Sequence, residues 1–212
     1  MNCIFKISPT LKVVELRQDP IMINITQIDE ETAAEFREAM SMAHNSGQDV
    51  IPILIDSYGG NIHSLISMID TIQNSKCKVS TIVTGKALGC AAILAIMGNS
   101  GLRFISRNSS LMLNNLTKDS WDKKSEFKPD SRELERLYKL ICELLDNNCN
   151  KEKGYFEKLI KDKGGCDWYL DAADTLEYQL MDHIGSPWFE VDIQPQYSFN
   201  GIAYKENVHE ID

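Results

Sequence analysis

The chain has 212 residues, of which 43% are hydrophobic and 25% are charged, and its formal net charge is −9. This length suits one domain with a sizeable core, and an acidic chain without a dense basic cluster is not expected to bind nucleic acid. No apolar run reaches the roughly 18 residues that a membrane span requires, and no signal or transit peptide is evident, so we expect a soluble cytoplasmic protein with no membrane contact.

The six cysteines are scattered along the chain and include no CxxC pair. Scattered cysteines of this kind are typical of reduced thiols, several of them buried as small hydrophobic side chains. Paired spacing is the usual signature of a zinc site. The sequence therefore predicts no metal site and no cofactor.

The first half of the chain alternates short apolar strands with helices. Asp29 is expected to cap a helix that runs to about Asn45 and stops at Gly47. The expected strands, rich in β-branched residues as buried parallel strands are, are Lys12–Leu16, Ile21–Ile25, Ile51–Ile55 and Val79–Val83. Helices are expected after the last two strands, over about Ile62–Asn74 and Gly89–Met97.

In the second half of the chain, we expect two strands, an exposed polar stretch and three helices. The expected strands are Arg103–Ile105 and Leu111–Leu113, followed by an exposed stretch over 117–130. The expected helices are Ser131–Asn148, Lys151–Lys163 and a shorter one from Asp171 to about Gln179. The segment from Pro187 to Asp212 carries five aromatic residues, which suggests that it packs against something.

Two glycine-rich turns follow neighbouring strands, and each leads into a helix. Gly59 and Gly60 form the first turn, and Gly85, Ala87 and Gly89 shape the second. Such turns leave backbone N–H groups at the start of a helix, where they can hold an anion or an oxyanion. Two such turns side by side suggest an acyl-transfer site in an α/β fold, although no nucleophile is visible.

Four blocks of sequence, in order, resemble the proteolytic subunit of the ATP-dependent Clp protease (ClpP). The blocks are DSYGG (56–60), MIDTIQNSKCKVSTIVTGKALGCAAILAIMG (68–98), RFISRNSSLMLNN (103–115) and CDWYLDAADTLEYQLMDHIG (166–185). The resemblance implies a ClpP/crotonase-type spiral of β/α units with a handle helix. It further implies one domain over 1–187, a handle region over about 114–148, and a C-terminal extension over 188–212. The family assembles as seven-membered rings and works with AAA+ unfoldases, which makes a heptameric ring, an active ClpP paralogue and an unfoldase the implied partners.

The catalytic positions depart from the family pattern. The family's nucleophilic Ser falls on Gly89 and its general-base His falls on Asn114, whereas its orienting Asp is retained as Asp167. The two oxyanion-hole amides fall on Gly60 and Cys90. A serine peptidase needs a hydroxyl to attack and an imidazole to take its proton, so the resemblance predicts a degenerate triad.

Two residues are possible substitutes for the missing groups. Cys90 carries a thiol, and His63 lies three residues after the glycine pair. The simpler interpretation places Cys90 in the core and His63 on the surface. Three hypotheses remain open: a non-catalytic ring subunit or regulator of protein degradation, a hydrolase with a rearranged site that uses Cys90, and a module that binds and modulates a Clp protease or its unfoldase.

Overall fold

The computed structural model describes residues 21–114, 131–163 and 167–187. Three predicted features lie outside the described residues. They are the strand Lys12–Leu16, the polar stretch over 117–130 and, except for Pro187, the aromatic segment Pro187–Asp212. In chain order the elements are β1 Ile23–Ile25, α1 Glu30–Ser46, β2 Val50–Ser57, α2 Ile62–Gln73, β3 Lys78–Leu88, α3 Cys90–Ile96, β4 Arg103–Ile105, β5 Ser110–Leu113, α4 Ser131–Asn148, α5 Tyr155–Asp162, β6 Trp168–Leu170, α6 Ala172–Glu177 and β7 His183–Ile184.

A mainly parallel sheet forms the centre of the fold, with the strand order β1-β2-β3-β4-β7. Its long central strand β3 also pairs with β5 beyond the point where β4 ends, and β6 pairs with β5 in the antiparallel direction. One face of the sheet is fully buried: Ile55, Val83 and Ile105 are each 0% exposed. Helices α1, α2 and α3 contribute their apolar residues to the same core cluster.

The strand β3 is longer than the sequence predicts, because the second glycine turn does not end it. Gly85 and Ala87 lie within β3, where φ at Gly85 is +101° and Lys86–Leu88 pair with Ser110–Met112 of β5. The hydroxyl of Ser109 accepts the Gly85 N–H at 2.7 Å. The positive φ, which glycine tolerates, lets the strand bend and change partner from β4 to β5 without stopping.

Helix α5 begins later than its predicted start at Lys151. The backbone takes a positive φ at Asn150 (51°) and at Gly154 (86°), so no helix can run through this segment. The buried carboxylate of Asp146 accepts the N–H groups of Gly154 and Phe156 at 2.6 and 2.9 Å. These two bonds fix the α4–α5 connection and satisfy N–H groups at the start of α5.

Candidate active site

The Gly59–Gly60 turn is held by a bridge to Ile28, which lies between β1 and α1. The Ile28 N–H donates to the Gly59 carbonyl at 3.1 Å, and the Asn61 N–H donates to the Ile28 carbonyl at 2.7 Å. A Cβ on Gly60 would lie 2.1 Å from the Ile28 oxygen, and a Cβ on Gly59 would lie 2.6 Å from the Leu88 oxygen. Both positions therefore require glycine for lack of space as well as for their positive φ.

Gly60 and Cys90 lie next to each other, as the expected oxyanion-hole positions should. Because the residues flanking Gly60 make both bonds of the bridge, the N–H and C=O of Gly60 itself point away from Ile28. The Gly60 carbonyl accepts a hydrogen bond from Cys90 Sγ at 3.2 Å. Cys90 is the first residue of α3, so its N–H has no carbonyl partner within that helix.

Gly89, the residue on which the predicted nucleophile position falls, forms a tight turn and carries no side chain. Its φ and ψ are +55° and −119°, and its N–H donates to the Met112 carbonyl at 2.9 Å. A Cβ built on Gly89 would lie 3.7 Å from Asn114 Oδ1 and 3.9 Å from Asn114 Nδ2. A side chain at position 89 would thus be in ordinary van der Waals contact with the Asn114 amide.

Asn114 directly follows β5, and Asp167 directly precedes β6. The two strands run antiparallel and join Leu111 to Leu170 and Leu113 to Trp168. Asn114 and Asp167 therefore lie at the same end of the β5–β6 pair, and Asn114 also lies within contact distance of position 89.

The thiol of Cys90 is in the wrong electrostatic environment for a nucleophile. Its side chain is 6% exposed, and burial raises its pKa to about 12. A reactive cysteine needs the opposite shift, which a nearby cation or imidazole supplies. The hydrogen bond to the Gly60 carbonyl uses the thiol proton and directs the sulfur toward the glycine turn.

His63 lies on the exposed first turn of α2, where its side chain lines a groove between α1 and α2. The groove has a volume of about 640 Å³ and also includes Arg37, His44 and Asp70. The side chain of Asn61, not of His63, caps α2 by accepting the N–H groups of His63 and Ser64. His63 thus belongs to the surface formed by the two helices.

Two features around the site have only weak signals in the sequence. Ser57 is fully buried, and its hydroxyl accepts the Gly59 N–H at 3.0 Å, which braces the glycine turn. Lys86 Nζ lies 2.7 Å from Asp56 Oδ1 and 4.3 Å from the centre of the Tyr58 ring. The hydrogen bond to Asp56 raises the pKa of Lys86, so this lysine stays charged. Spacing in sequence does not reveal this triplet, because its members lie on neighbouring strands.

Among the described residues, no group of three or more His, Cys, Asp or Glu side chains is arranged to hold a metal ion. No helix in the described ranges is long and apolar enough to cross a membrane.

Comparisons with known proteins identify the family. A family model named Clp protease matches residues 10–187. The ATP-dependent Clp protease proteolytic subunit of Carsonella ruddii is 28% identical over 80% of this chain and 84% of its own length. The corresponding subunit of Porphyromonas gingivalis is 29% identical over 80% of this chain and 75% of its own length.

Solved structures agree with this assignment at the level of the fold. The ClpP protease catalytic domain from Plasmodium falciparum superposes with a TM-score of 0.64 and 22% identity, covering 81% of this chain and 88% of that one. A ClpP1 variant from Listeria monocytogenes gives a TM-score of 0.67 and 18% identity over 79% and 92% of the two chains. The predicted α/β fold of the ClpP type is confirmed, and the chain belongs to the Clp protease family.

Proposed function

We propose that this chain acts in protein degradation as a non-catalytic subunit or regulator of a Clp protease assembly. The observation that carries the proposal is the pairing of Gly89 with Asn114. Gly89, in the turn before α3, has no hydroxyl. The side chain next to it, that of Asn114, is an amide, which cannot accept a proton near pH 7.

The expected loss of rate is large. In a serine peptidase, loss of the nucleophile or the base alone lowers kcat by about 10⁶-fold, and the remaining groups give only about 10³–10⁴ over water. Both groups are absent here, so Asp167 has no imidazole to orient. We infer that this chain alone gives no measurable serine-type peptide hydrolysis.

A hydrolase built on Cys90 is the less favoured alternative. Its thiol is buried and its pKa is raised, and the imidazole of His63 belongs to the α1–α2 groove. Cysteine catalysis needs a thiolate beside an imidazole, and the Cys90 thiol and the His63 imidazole do not form such a pair.

A role in assembly does not require catalytic groups. Members of the Clp protease family form rings and work with Clp ATPases, and this chain keeps the family's sheet and core without the catalytic groups. We propose that it enters a heptameric ring, either of its own copies or mixed with an active paralogue.

The test combines a chemical label with a measurement of assembly mass. The purified chain, alone and mixed with an active ClpP, is treated with a fluorophosphonate probe and then weighed by mass photometry. We expect label on the active ClpP only, and ring-sized particles that contain this chain. Label on this chain would overturn the absence of catalysis, and a monomer in both samples would overturn the proposed assembly.

A further inference from the structure

A histidine joins the end of helix α1 to the connection between α2 and β3. His44 lies in the last turn of α1 and is half-buried. Its Nε2 atom lies 3.0 Å from Ser75 Oγ and 3.3 Å from the backbone nitrogen of Lys76. These contacts link residues that are 31 and 32 positions apart in the chain. The imidazole is thus a polar bridge between two segments that are distant in sequence.

The two contacts determine where the neutral ring carries its proton. A backbone N–H can only donate, so Nε2 accepts the hydrogen bond from Lys76 with its lone pair. The hydroxyl of Ser75 donates its proton to the Cys77 carbonyl at 2.8 Å, and that proton is therefore not available to Nε2. In neutral His44 the proton consequently lies on Nδ1.

Protonation of His44 exchanges the partner of Nε2. An imidazolium donates from both ring nitrogens, so Nε2 can no longer accept the Lys76 N–H. The Ser75 oxygen, 3.0 Å from Nε2, can accept the new N–H while its own proton stays on the Cys77 carbonyl. The neutral ring therefore holds the backbone at position 76, whereas the charged ring holds the hydroxyl at position 75 and releases that backbone.

Charged and titratable groups from both helices and from the connection lie around His44. Arg37 of α1, and His63 and Asp70 of α2, line the same groove, and Lys76 belongs to the connection itself. The carboxylate of Asp70 and the carbonyl end of α1 favour the imidazolium, whereas the positive charges of Arg37 and Lys76 oppose it. Histidine ordinarily changes its charge between about pH 5 and 8, which is the range in which this exchange of partners is expected.

We propose that His44 is a pH-sensitive switch. The neutral ring fastens the α2–β3 connection to the end of α1, and the protonated ring releases the Lys76 backbone and adds a positive charge to the α1–α2 groove. The charges of Arg37 and Asp70 offset each other in that groove, so the side chains that line it become net positive as its histidines are protonated. This inference depends on the neighbours of His44 and not on the proposed function.

Hydrogen exchange in the full-length chain tests the switch. Mass spectrometry with fragmentation to single amides follows exchange at about pH 5.5 and about pH 7.5, on either side of the ordinary titration of histidine. Each rate is divided by the intrinsic rate of an unstructured amide at the same pH. Loss of one neutral hydrogen bond changes an equilibrium by roughly 2- to 10-fold, and we expect the protection of the Lys76 amide to fall by about that factor at the lower pH. The Lys78 N–H, which donates to the Asp49 carbonyl, is the internal reference and should keep its protection.

Two variants separate His44 from the other histidine of the groove. In His44→Gln the side-chain amide does not titrate, so protection at position 76 should be the same at both pH values. The matched control His63→Gln should keep the pH dependence of the unchanged chain, because the bonds to the connection come from His44. The proposal is overturned by equal protection of Lys76 at both pH values in the unchanged chain, by a pH dependence that persists in His44→Gln, or by its disappearance in His63→Gln.

The position of the ring proton gives a second measurement on the unchanged chain. The ¹⁵N shifts of the histidine rings at about pH 8, where histidine is ordinarily neutral, distinguish a proton on Nδ1 from one on Nε2. His183 is the reference: its Nε2 lies 3.1 Å from the Gly101 carbonyl, which can only accept, so its neutral ring carries the proton on Nε2. We expect the proton of His44 on Nδ1, with signals assigned from His44→Gln and His183→Gln. A neutral His44 with its proton on Nε2 would refute the switch. Neither measurement depends on catalysis or on ring assembly, so failure here is distinct from failure of the proposed function.

Discussion

Restoring both missing groups at once should convert the site into one that reacts with a fluorophosphonate. The change is Gly89→Ser together with Asn114→His. Space is available, since the Cβ at position 89 would lie 3.7 Å from the nearest atom of residue 114, an ordinary contact distance. Asp167 directly precedes β6, at the end of the β5–β6 pair where position 114 follows β5. The retained Asp167 can then orient the new imidazole, as in other serine peptidases.

The structure also gives the stability cost of this change. Gly89 has φ of +55° and ψ of −119°, a region that side chains with a Cβ rarely adopt. Residues held in such conformations cost about 1–3 kcal/mol each. No clash adds to that strain, so Gly89→Ser and Gly89→Ala should lower the free energy of unfolding by about the same 1–3 kcal/mol. The alanine variant is the matched control, because it carries the strain without a hydroxyl.

The assay compares covalent labelling across the set of variants, with urea unfolding as the stability measurement. Either single restoration should stay at background, since a triad that lacks the Ser or the His loses about 10⁶-fold in kcat. Only Gly89→Ser with Asn114→His should label. If the double variant folds, assembles as an active ClpP does and still fails to label, positions 89, 114 and 167 do not form the site that we describe. Labelling of Gly89→Ser alone would contradict the assigned role of position 114.

Three further predictions concern buried groups and backbone strain. Iodoacetamide should modify the native chain at half-buried Cys77 well before Cys90, because burial raises the pKa of the Cys90 thiol to about 12; mass spectrometry of timed samples measures the order. Asp182→Asn should lower the free energy of unfolding by about 3 kcal/mol or more, because it leaves the buried Arg103 without its carboxylate partner. Gln179→Gly should raise the free energy of unfolding by about 1 kcal/mol, because Gln179 adopts a left-handed φ of 61° that glycine takes without strain.

The Asp182 prediction has a pH dependence with a definite sign. Burial alone would raise the pKa of Asp182, but the hydrogen bonds and the charge of Arg103 together outweigh it and lower the pKa below its usual value. The folded state therefore binds fewer protons than the unfolded state as the pH falls below about 4. The stabilisation is present above that range and is lost on further acidification, and Asp182→Asn should remove this part of the acid dependence. An unchanged acid limb in urea titrations of the variant would refute the assignment.

The outcomes for Cys90 and Gln179 have their own controls. Cys142 is also buried, with its pKa raised to about 11 chiefly by burial, so it should react late like Cys90. Early modification of Cys90 in a chain that remains folded would contradict its assigned environment. Gln179→Ala keeps the strained φ and should give no gain in stability, whereas an equal gain would show that strain is not the cause.

Local chemistry made much of the fold predictable from the sequence. Asp29 caps α1, with its side chain accepting the Thr32 N–H, and Gly47 ends the helix in the left-handed conformation. Asp171 forms a capping box at the start of α6, and α4 spans the predicted Ser131–Asn148. These features depend on a few neighbouring residues, so pattern and capping chemistry are sufficient to locate them.

The features that the sequence did not predict depend on residues far apart in the chain. The extension of β3 through Gly85 is set by pairing with β5, and the late start of α5 is set by the carboxylate of Asp146. The two-residue strand β7 forms only because β4 is beside it. At the site, the resemblance named positions 89, 114 and 167, but the burial of Cys90 and the triplet of Asp56, Tyr58 and Lys86 needed coordinates.

The crossing of the Gly59–Gly60 turn over Ile28 bears on how catalytic motifs are used to assign activity. Where two backbones pass so closely that a methyl group would overlap a carbonyl oxygen, selection for folding alone preserves the glycines. In this chain the paired glycine is therefore explained by the path of the backbone and is not evidence of turnover. Under the proposed function, a search that infers peptidase activity from the glycine blocks alone would include a chain without turnover, and the identities at positions 89 and 114 would distinguish it.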